Sequence, residues 1–589
     1  MRKSYYPLFP CKGKKYRPKK SVVYIYVDSD TNSKFTGGAV YENNSVEYFD
    51  NSLEVARYLT FLPDNTWVIT YNLSSWSSCF EAFINTFDYI GGIGKDNHIL
   101  NLEYGNKKIT IIDAFQFYVM PFLEAVYKMG GLKFSDLEVG LCSVFVNFLW
   151  EKLVAIYKEK FNVYPSKTPG ATAIKIFRRF MKSPILASGL QAIRLTTSSI
   201  RPPALHWKPG IYEEAYLYDL NAAYPHVMRV LRYPKRLRLF INQPPPSDRW
   251  IATLKIDYTC NRDFSPLSIQ LKEDNRINPT EAKNVTVTLT YIDLQTLEMC
   301  GEVKILSWLE GVYWKNTDEV DLFSEWAEAM EAASLENPQN KIALKIVSRS
   351  LHSKFSQSHF FTETEIFKTE PQEIKKLVKT GKVSDIYPLE NGEIAIKKIT
   401  RKRAGFKPFE RPDWEALTLA MGRFMMYANI DENTVYSHTD CIISTAPRDD
   451  IQIGVKFGEW KNKEVGAAYI AGLGLYAIGE SIGTTGLKTS KIKAREAIRE
   501  AAAGIEHLVT TLNYPGFLSS TERGLTDFTV RFQPYPQARV NGTLAWVTRS
   551  PTRIIPIITN HRIISTCKLE RSLKINQNFT LEDFKCLHL

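Results

Sequence analysis

The stretch Tyr216-Leu-Tyr-Asp219-Leu-Asn-Ala-Ala-Tyr224-Pro225 decides how this chain is read, together with a second one, Tyr436-Ser-His-Thr-Asp440. Each runs through apolar and aromatic residues and closes on an aspartate, the pattern of a strand that carries a carboxylate at its end. Between them lies a helical segment, Lys341-Ile-Ala-Leu-Lys345-Ile-Val-Ser-Arg349. Lys341, Lys345 and Arg349 are spaced four apart, so they share one helix face. Ile342, Leu344, Ile346, Val347 and Leu351 supply apolar packing around the rest of the surface. Two carboxylates on neighbouring strand ends can hold hard divalent cations, and a basic helix beside them can hold a triphosphate. Taken singly, each aspartate reads equally well as the close of a strand at a turn, and the basic row as a solvated stripe. Their order along the chain (carboxylate strand, basic helix, carboxylate strand) is what points to nucleotidyl transfer.

The bulk composition fits that reading without demanding it. A chain of 589 residues exceeds what one hydrophobic core organises, which predicts several domains. The net charge is +12, with Lys and Arg gathered at 12–20, 397–411 and 488–499. Such clusters suit an anionic partner, and equally a solvated face. Eight cysteines are scattered with no C-x-x-C pair, which argues against a zinc site or disulfide framework and for a reducing compartment. No leader-like N-terminus stands out, and no uninterrupted apolar run nears the ~20 residues that span a bilayer. The expectation is a soluble cytoplasmic protein with no membrane partner.

Along the chain, residues 1–20 read as a basic, mobile tail. Val22–Val27 reads as a buried strand, Gly37–Tyr48 as a second strand, and 53–62 as a helix. Thr66–Tyr71 and Lys108–Phe117 read as further strands, the latter carrying Asp113. The mixture predicts an α/β unit over the first 160 or so residues. Pro165, Pro169, Pro202, Pro203 and Pro209 mark a helix pair and connector. Strands are expected at Trp250–Tyr258 and Val285–Tyr291, a hairpin or bent strand at Val303–Trp314, and helices over 321–355, 414–429 and from about 488. Residues 356–411, polar and charge-alternating, read as a small β-rich insertion, and 434–444 as one strand around Asp440.

With these segments in place, the chain resembles the family B DNA polymerases, in the style of the compact protein-primed enzymes of phages, viruses and linear plasmids. Asp219-Leu-Asn-Ala-Ala-Tyr-Pro225 is similar to the family's Asp-x-x-Ser-Leu-Tyr-Pro. Lys345-Ile-Val-Ser-Arg-Ser-Leu-His352-Ser-Lys-Phe355 is similar to Lys-x-x-x-Asn-Ser-x-Tyr-Gly, and His438-Thr-Asp440 to Asp-Thr-Asp. The resemblance implies that Asp219 and Asp440 are catalytic metal ligands, helped by the Leu220 carbonyl, for two Mg²⁺ or Mn²⁺ ions. It implies triphosphate binding by Lys345, Lys341 and Arg349, and a steric gate against ribose at Tyr224. His352, Trp460, Lys461, Tyr476 and Lys488 are implied to bind DNA. The implied partners are primer-template DNA, deoxynucleoside triphosphates and a terminal protein primer.

The implied architecture is an α/β multidomain chain: a degenerate RNase H-like exonuclease domain, then a right-hand polymerase of palm, fingers and thumb. Its divisions are a tail (1–20), exonuclease-like domain (21–165), connector (166–209), palm (210–320), fingers (321–355), basic insertion in the place of a strand-displacement element (356–411), second palm part (412–480) and thumb with tail (481–589). Departures from the family pattern are numerous. His438 stands for the first aspartate of the third motif, and a histidine there would lower the site's negative charge and make activity pH-sensitive. Arg349, His352 and Ser353 stand for Asn, Tyr and Gly. Gly474 takes the lysine place of Lys-x-Tyr, and Ile200-Arg-Pro-Pro203 the place of Tyr-x-Gly-Gly. In the exonuclease-like part, Asp28-Ser-Asp30 keeps two acids, Asn72-Leu-Ser-Ser-Trp-Ser77 has lost one, and 140–146 has none. Two-metal hydrolysis needs about four carboxylates, which predicts a fold without proofreading. The expected function is template-directed DNA synthesis; the alternative is a decayed polymerase retained as a DNA-binding or replisome scaffold.

Overall fold

The alternation in Val22–Ser29 puts Val23, Ile25 and Val27 on one buried face, the period-two signature of a strand. It pairs in parallel with Thr66–Thr70, which pairs in parallel with Lys107–Asp113. In the computed structural model these lie inside a ten-stranded sheet. The structure describes residues 8–556 except 12–18, 20, 30–33, 94–97, 132–133, 135–136, 263–264, 273–274, 358–359, most of 371–382, 390–392, 404–408, 485–489, 506–507, 514–525, 533–536, 541–542 and 548–551.

Several expectations are refined. Within the tail, Leu8 is buried and pairs its backbone with Ile185, so that part is packed, not mobile. The expected strand over 37–48 is a hairpin, Phe35–Glu42 with Ser45–Phe49, because Asn43 and Asn44 both take φ above zero (51° and 62°). Two such residues make the tight turn whose twist matches its strands. The strand with Asp113 ends there, and Phe115–Tyr118 is helical. Helix Val139–Phe161 is long and apolar enough to cross a bilayer by length and composition. Here it buries Val146, Leu149, Trp150, Leu153 and Tyr157 in the core.

The insertion does not stand apart. Strand Phe360–Thr369 pairs antiparallel with Tyr89–Ile93, and Ile394–Arg403 and Val383–Pro388 follow it, completing the ten-stranded sheet. Within that sheet Lys397 is buried rather than displayed.

A second, seven-stranded sheet is antiparallel throughout, in the order 481–484, 475–478, 460–472, 210–220, 441–444, 434–438, 205–207. Beside it, 250–260 pairs with 281–290 and with the bent strand 301–313, whose register shifts twice. Helix Pro412–Ala428 ties the layers together. Its Arg423 reaches Asp293 at 2.7 Å, both buried, and donates to the carbonyls of Arg201 and Pro202. Near the end of the described chain, Thr543–Val547 pairs with Asn275–Pro279, so this part of the expected tail is stitched to the body. Six of the eight cysteines are described, and all six are free.

Candidate active site

The site grows from one strand, Gly210–Leu220. Its neighbours are Cys441–Ser444 on one side and Trp460–Gly472 on the other. Residue pairing sets Asp219 against Cys441 and against Lys461, and the Leu220 amide donates to the Asp440 carbonyl at 2.7 Å. The two aspartates are thereby brought together from positions 221 residues apart in sequence (440 − 219). Asp440 is not on a strand: it sits in the turn between Thr434–His438 and Cys441–Ser444. Thr439 in that turn has φ +62°, a left-handed conformation that β-branched residues rarely take. Such strain persists where surrounding structure over-determines it, and sites are the usual place.

After Leu220 the chain turns at Ala222, again left-handed (φ +47°), into helix Ala223–Val230. The bend after the strand is thus made by Ala222, not by the proline of the motif. Pro225 lies in the helix's first turn, where its missing N–H costs no hydrogen bond. This turn sets Tyr224 over the strand end. Arg229 and the loop at 454–459 brace it: Asn221 N–H donates to the Glu459 carbonyl, and Gly458 N–H to that of Asn221. Glu331, on helix Ser324–Glu336, pairs with Arg229 at 2.9 Å and accepts from the Phe457 amide.

Asp219, Asp440, Tyr224, Lys345, Arg349 and Tyr476 line one cavity of about 370 Å³, which His438, Thr439, Cys441 and Gly474 complete. Burial, and then the neighbouring Asp219, pushes the Asp440 carboxyl from its ordinary 3.8 up to about 6. Lys345, Arg349 and Lys461 pull the other way. Lys461 contacts Asp219 directly, Nζ to Oδ2 2.8 Å. Tyr224 is half-buried, its hydroxyl raised to about 12 by desolvation and then by Asp440, with Arg423 opposing. His438 moves downward because burial disfavours its cation. Burial thus favours its neutral form, which lacks the negative charge that an aspartate would bring there.

The other residues expected at the site divide. Lys341 is exposed at the start of its helix and does not line the cavity. His352 stacks on Tyr224, ring centroids 4.4 Å apart, and so lies at the site's edge. Trp460 is only 6% exposed and packs with Tyr218, Leu220 and Tyr427, so its ring is core. Tyr476 packs on Tyr436 at 4.9 Å, and the Tyr436 hydroxyl accepts from the Gly474 amide. Lys488 and Asp30 lie outside the described residues.

Asp28 closes its strand beside the Leu73–Cys79 turn, where the Ser75 hydroxyl donates to the Val27 carbonyl. Asn72 is left-handed, and its amide donates to Asp113, a buried carboxylate that also accepts from the Leu73 and Phe115 amides. Asp113 therefore caps the local turn. Among the described residues, no group of three or more His, Cys, Asp or Glu side chains is arranged to hold a metal.

Sequence reading missed two partners: Lys461 against Asp219, and Glu415 behind His352 (Nδ1 to Oε1 3.6 Å). Both depend on pairing between distant segments, for which no local signal exists.

No protein-family model matches this chain, and no curated protein matches it. Solved structures do. The fold is similar to that of phi29 DNA polymerase complexed with primer-template DNA and incoming nucleotide substrates, with a TM-score of 0.66, 13% identity, and coverage of 88% of this chain and 100% of that one. Phi29 DNA polymerase complexed with single-stranded DNA gives a TM-score of 0.60 at 13% identity over 78% of this chain and 87% of that one. At that identity the likeness establishes a fold: the chain is a mixed α/β, multi-sheet protein folded like phi29 DNA polymerase.

Proposed function

We propose that this chain is a template-directed DNA polymerase that joins deoxynucleoside triphosphates to a primer, with primer-template DNA as its main partner. The observation that carries the reading is the single cavity onto which Asp219, Asp440, Tyr224, Lys345 and Arg349 converge, inside a polymerase-like fold. In this reading the seven-stranded sheet, apart from its edge strand 481–484, is the palm, helices 324–336 and 341–349 the fingers, and the segment from 481 the thumb. Priming from a terminal protein belongs to the same proposal.

The donor set suits a divalent cation. Two adjoining carboxylates, one pushed up to about 6 by burial and by its neighbour, form a site whose negative charge calls for compensation. Asp219, Asp440 and the Leu220 carbonyl would hold Mg²⁺ or Mn²⁺, which when bound supplies Lewis acidity at the phosphoryl and hydroxyl oxygens. The other work belongs to the chain. Lys345 and Arg349 would neutralise the triphosphate from the basic helix face. Tyr224 would stand under the sugar, leaving no room for a 2′-hydroxyl.

Tyr224→Ala is expected to raise ribonucleotide incorporation relative to deoxyribonucleotide by about 100-fold, the upper range for a steric pocket. Competition between the two triphosphates in primer extension measures it; an unchanged ratio removes the gate.

The amino-terminal sheet would be an exonuclease fold without proofreading, a reading supported by the missing acids in its second and third motifs. Purified protein is expected to leave a mismatched primer intact in Mg²⁺. Degradation that is lost in Asp28→Ala would refute this.

One observation favours the scaffold reading: Lys461 already occupies the Asp219 carboxylate at 2.8 Å. Primer extension by the native protein with Mg²⁺ or Mn²⁺ decides between the two. Extension supports the polymerase, and its absence alongside tight DNA binding supports the scaffold.

A further inference from the structure

Tyr224 is held in a slot rather than simply buried. One wall is the His352 ring, 4.4 Å away between centroids and inclined by 40°. The other is Gly422 of helix Pro412–Ala428, where even an added Cβ would lie 3.6 Å from the Tyr224 ring. A side chain larger than alanine at 422 would fill the tyrosine's place. Seven residues earlier on the same helix, and so on the same face, Glu415 lies behind His352. His352 Nδ1 is 3.6 Å from Glu415 Oε1, with the two side chains 13% and 9% exposed.

Neither His352 Nδ1 nor Glu415 Oε2 has a hydrogen-bond partner among the described residues. Buried polar atoms without partners are costly. Nδ1 faces the carboxylate's other oxygen, Oε1, across a gap of 3.6 Å that about 0.5 Å of side-chain movement closes to hydrogen-bond length. The pair therefore gains most when the imidazole is held against the carboxylate, which is also the orientation that stacks its face on Tyr224.

We infer that Glu415 is a positioning residue for nucleotide selection: through His352 it sets the Tyr224 ring at the height that separates deoxyribose from ribose. The inference rests on the polymerase reading above and deepens it. It also revises the role expected of His352, from binding DNA to stacking on the gate.

The test has two arms. The first compares incorporation of a deoxyribonucleotide and the matching ribonucleotide by native protein, Glu415→Leu, His352→Phe and the double replacement. Selectivity in Glu415→Leu is expected to fall about tenfold, through a lower KM for the ribonucleotide rather than a changed kcat for the deoxyribonucleotide. Phenylalanine keeps the stacking and removes the link to Glu415, so the double replacement is expected to match His352→Phe alone. Unchanged selectivity in folded Glu415→Leu overturns the inference, as does a further loss on adding Glu415→Leu to His352→Phe. Glu415→Gln, which keeps the side chain's size, makes the same comparison if leucine perturbs packing.

The second arm requires no turnover. The His352 Cε1–H proton resonance, assigned by its loss in His352→Phe, is expected to carry the ring-current shift of Tyr224 and to lose much of it in Glu415→Leu. A resonance that does not move overturns the inference. A native protein that extends no primer yet shows this change loses the proposed function and keeps the Glu415–His352–Tyr224 arrangement, so the two failures are distinguishable.

Discussion

Asp440→Asn is expected to cut primer extension by about 10³-fold or more, since several kcal/mol of charge stabilisation leave with one of two metal-facing carboxylates. The same substitution is expected to make the protein more stable at pH 8. The two effects have opposite signs for one reason. The Asp440 carboxyl is raised in the folded state from 3.8 to about 6, so its ionised form is disfavoured there. Below about pH 4 the group is neutral both folded and unfolded, and contributes nothing. Between about 4 and 6 the folded chain keeps a proton that the unfolded chain has released, so stability falls as pH rises. Above about 6 the full cost stands, on the order of 3 kcal/mol for a shift of about two units. Asparagine removes it.

Thermal unfolding of the metal-free proteins at pH 4 and pH 8 measures the difference. The midpoint of Asp440→Asn is expected to exceed that of the native protein at pH 8 and to approach it at pH 4. Native activity is expected to rise through about pH 6 as Asp440 ionises, at a lower pH when the cation is abundant. A variant that loses activity and stability together would mark Asp440 as a structural residue and take away the trade-off expected of a functional site.

The largest loss of stability is expected from Arg423→Met. Arg423 and Asp293 are buried at 2.7 Å, 130 residues apart, and join helix Pro412–Ala428 to helix Tyr291–Cys300. Methionine would strand a buried carboxylate and two carbonyls, of Arg201 and Pro202, that Arg423 now satisfies. Breaking such a pair costs about 3–5 kcal/mol. Asp293→Asn is expected to cost less. Its amide oxygen can still cap Thr290, where the carboxylate now accepts from both the amide and the hydroxyl, and Arg423 keeps its two carbonyls. Urea midpoints of the two variants give the order. Equal losses would mean that the ion pair itself, rather than the stranded groups, sets the cost. Because the same helix backs Tyr224 through Gly422, Arg423→Met is also expected to lower selectivity against ribonucleotides.

Much of this site was legible in the sequence because its signals are local. Val23, Ile25 and Val27 alternate, and Lys345 and Arg349 lie one turn apart; both patterns follow from the repeat of a single element. The Asp219 segment was readable for the same reason, as a strand ending on an acid, whereas Asp440 proved to lie in the turn between two strands. Turns written in pairs of asparagines were missed. Asn43-Asn44 was absorbed into a strand because apolar periodicity alone does not register a left-handed residue.

Which segments pair, and in what register, was decided only in the folded chain. Trp460 and Lys461 are adjacent, yet Trp460 lies opposite Leu220 in the core while Lys461 lies opposite Asp219 at the cavity. Side chains alternate across a sheet, so a slip of one residue would exchange them and place the tryptophan at the carboxylate. The insertion shows the same limit. Phe360–Thr369 is readable as a strand, but its union with Tyr89–Ile93 depends on an edge formed about 270 residues earlier. Local residue patterns set which segments can form strands, helices and an acidic-basic site. Tertiary structure determined which of them meet, because meeting depends on hydrogen-bond register and packing between segments that carry no trace of one another locally.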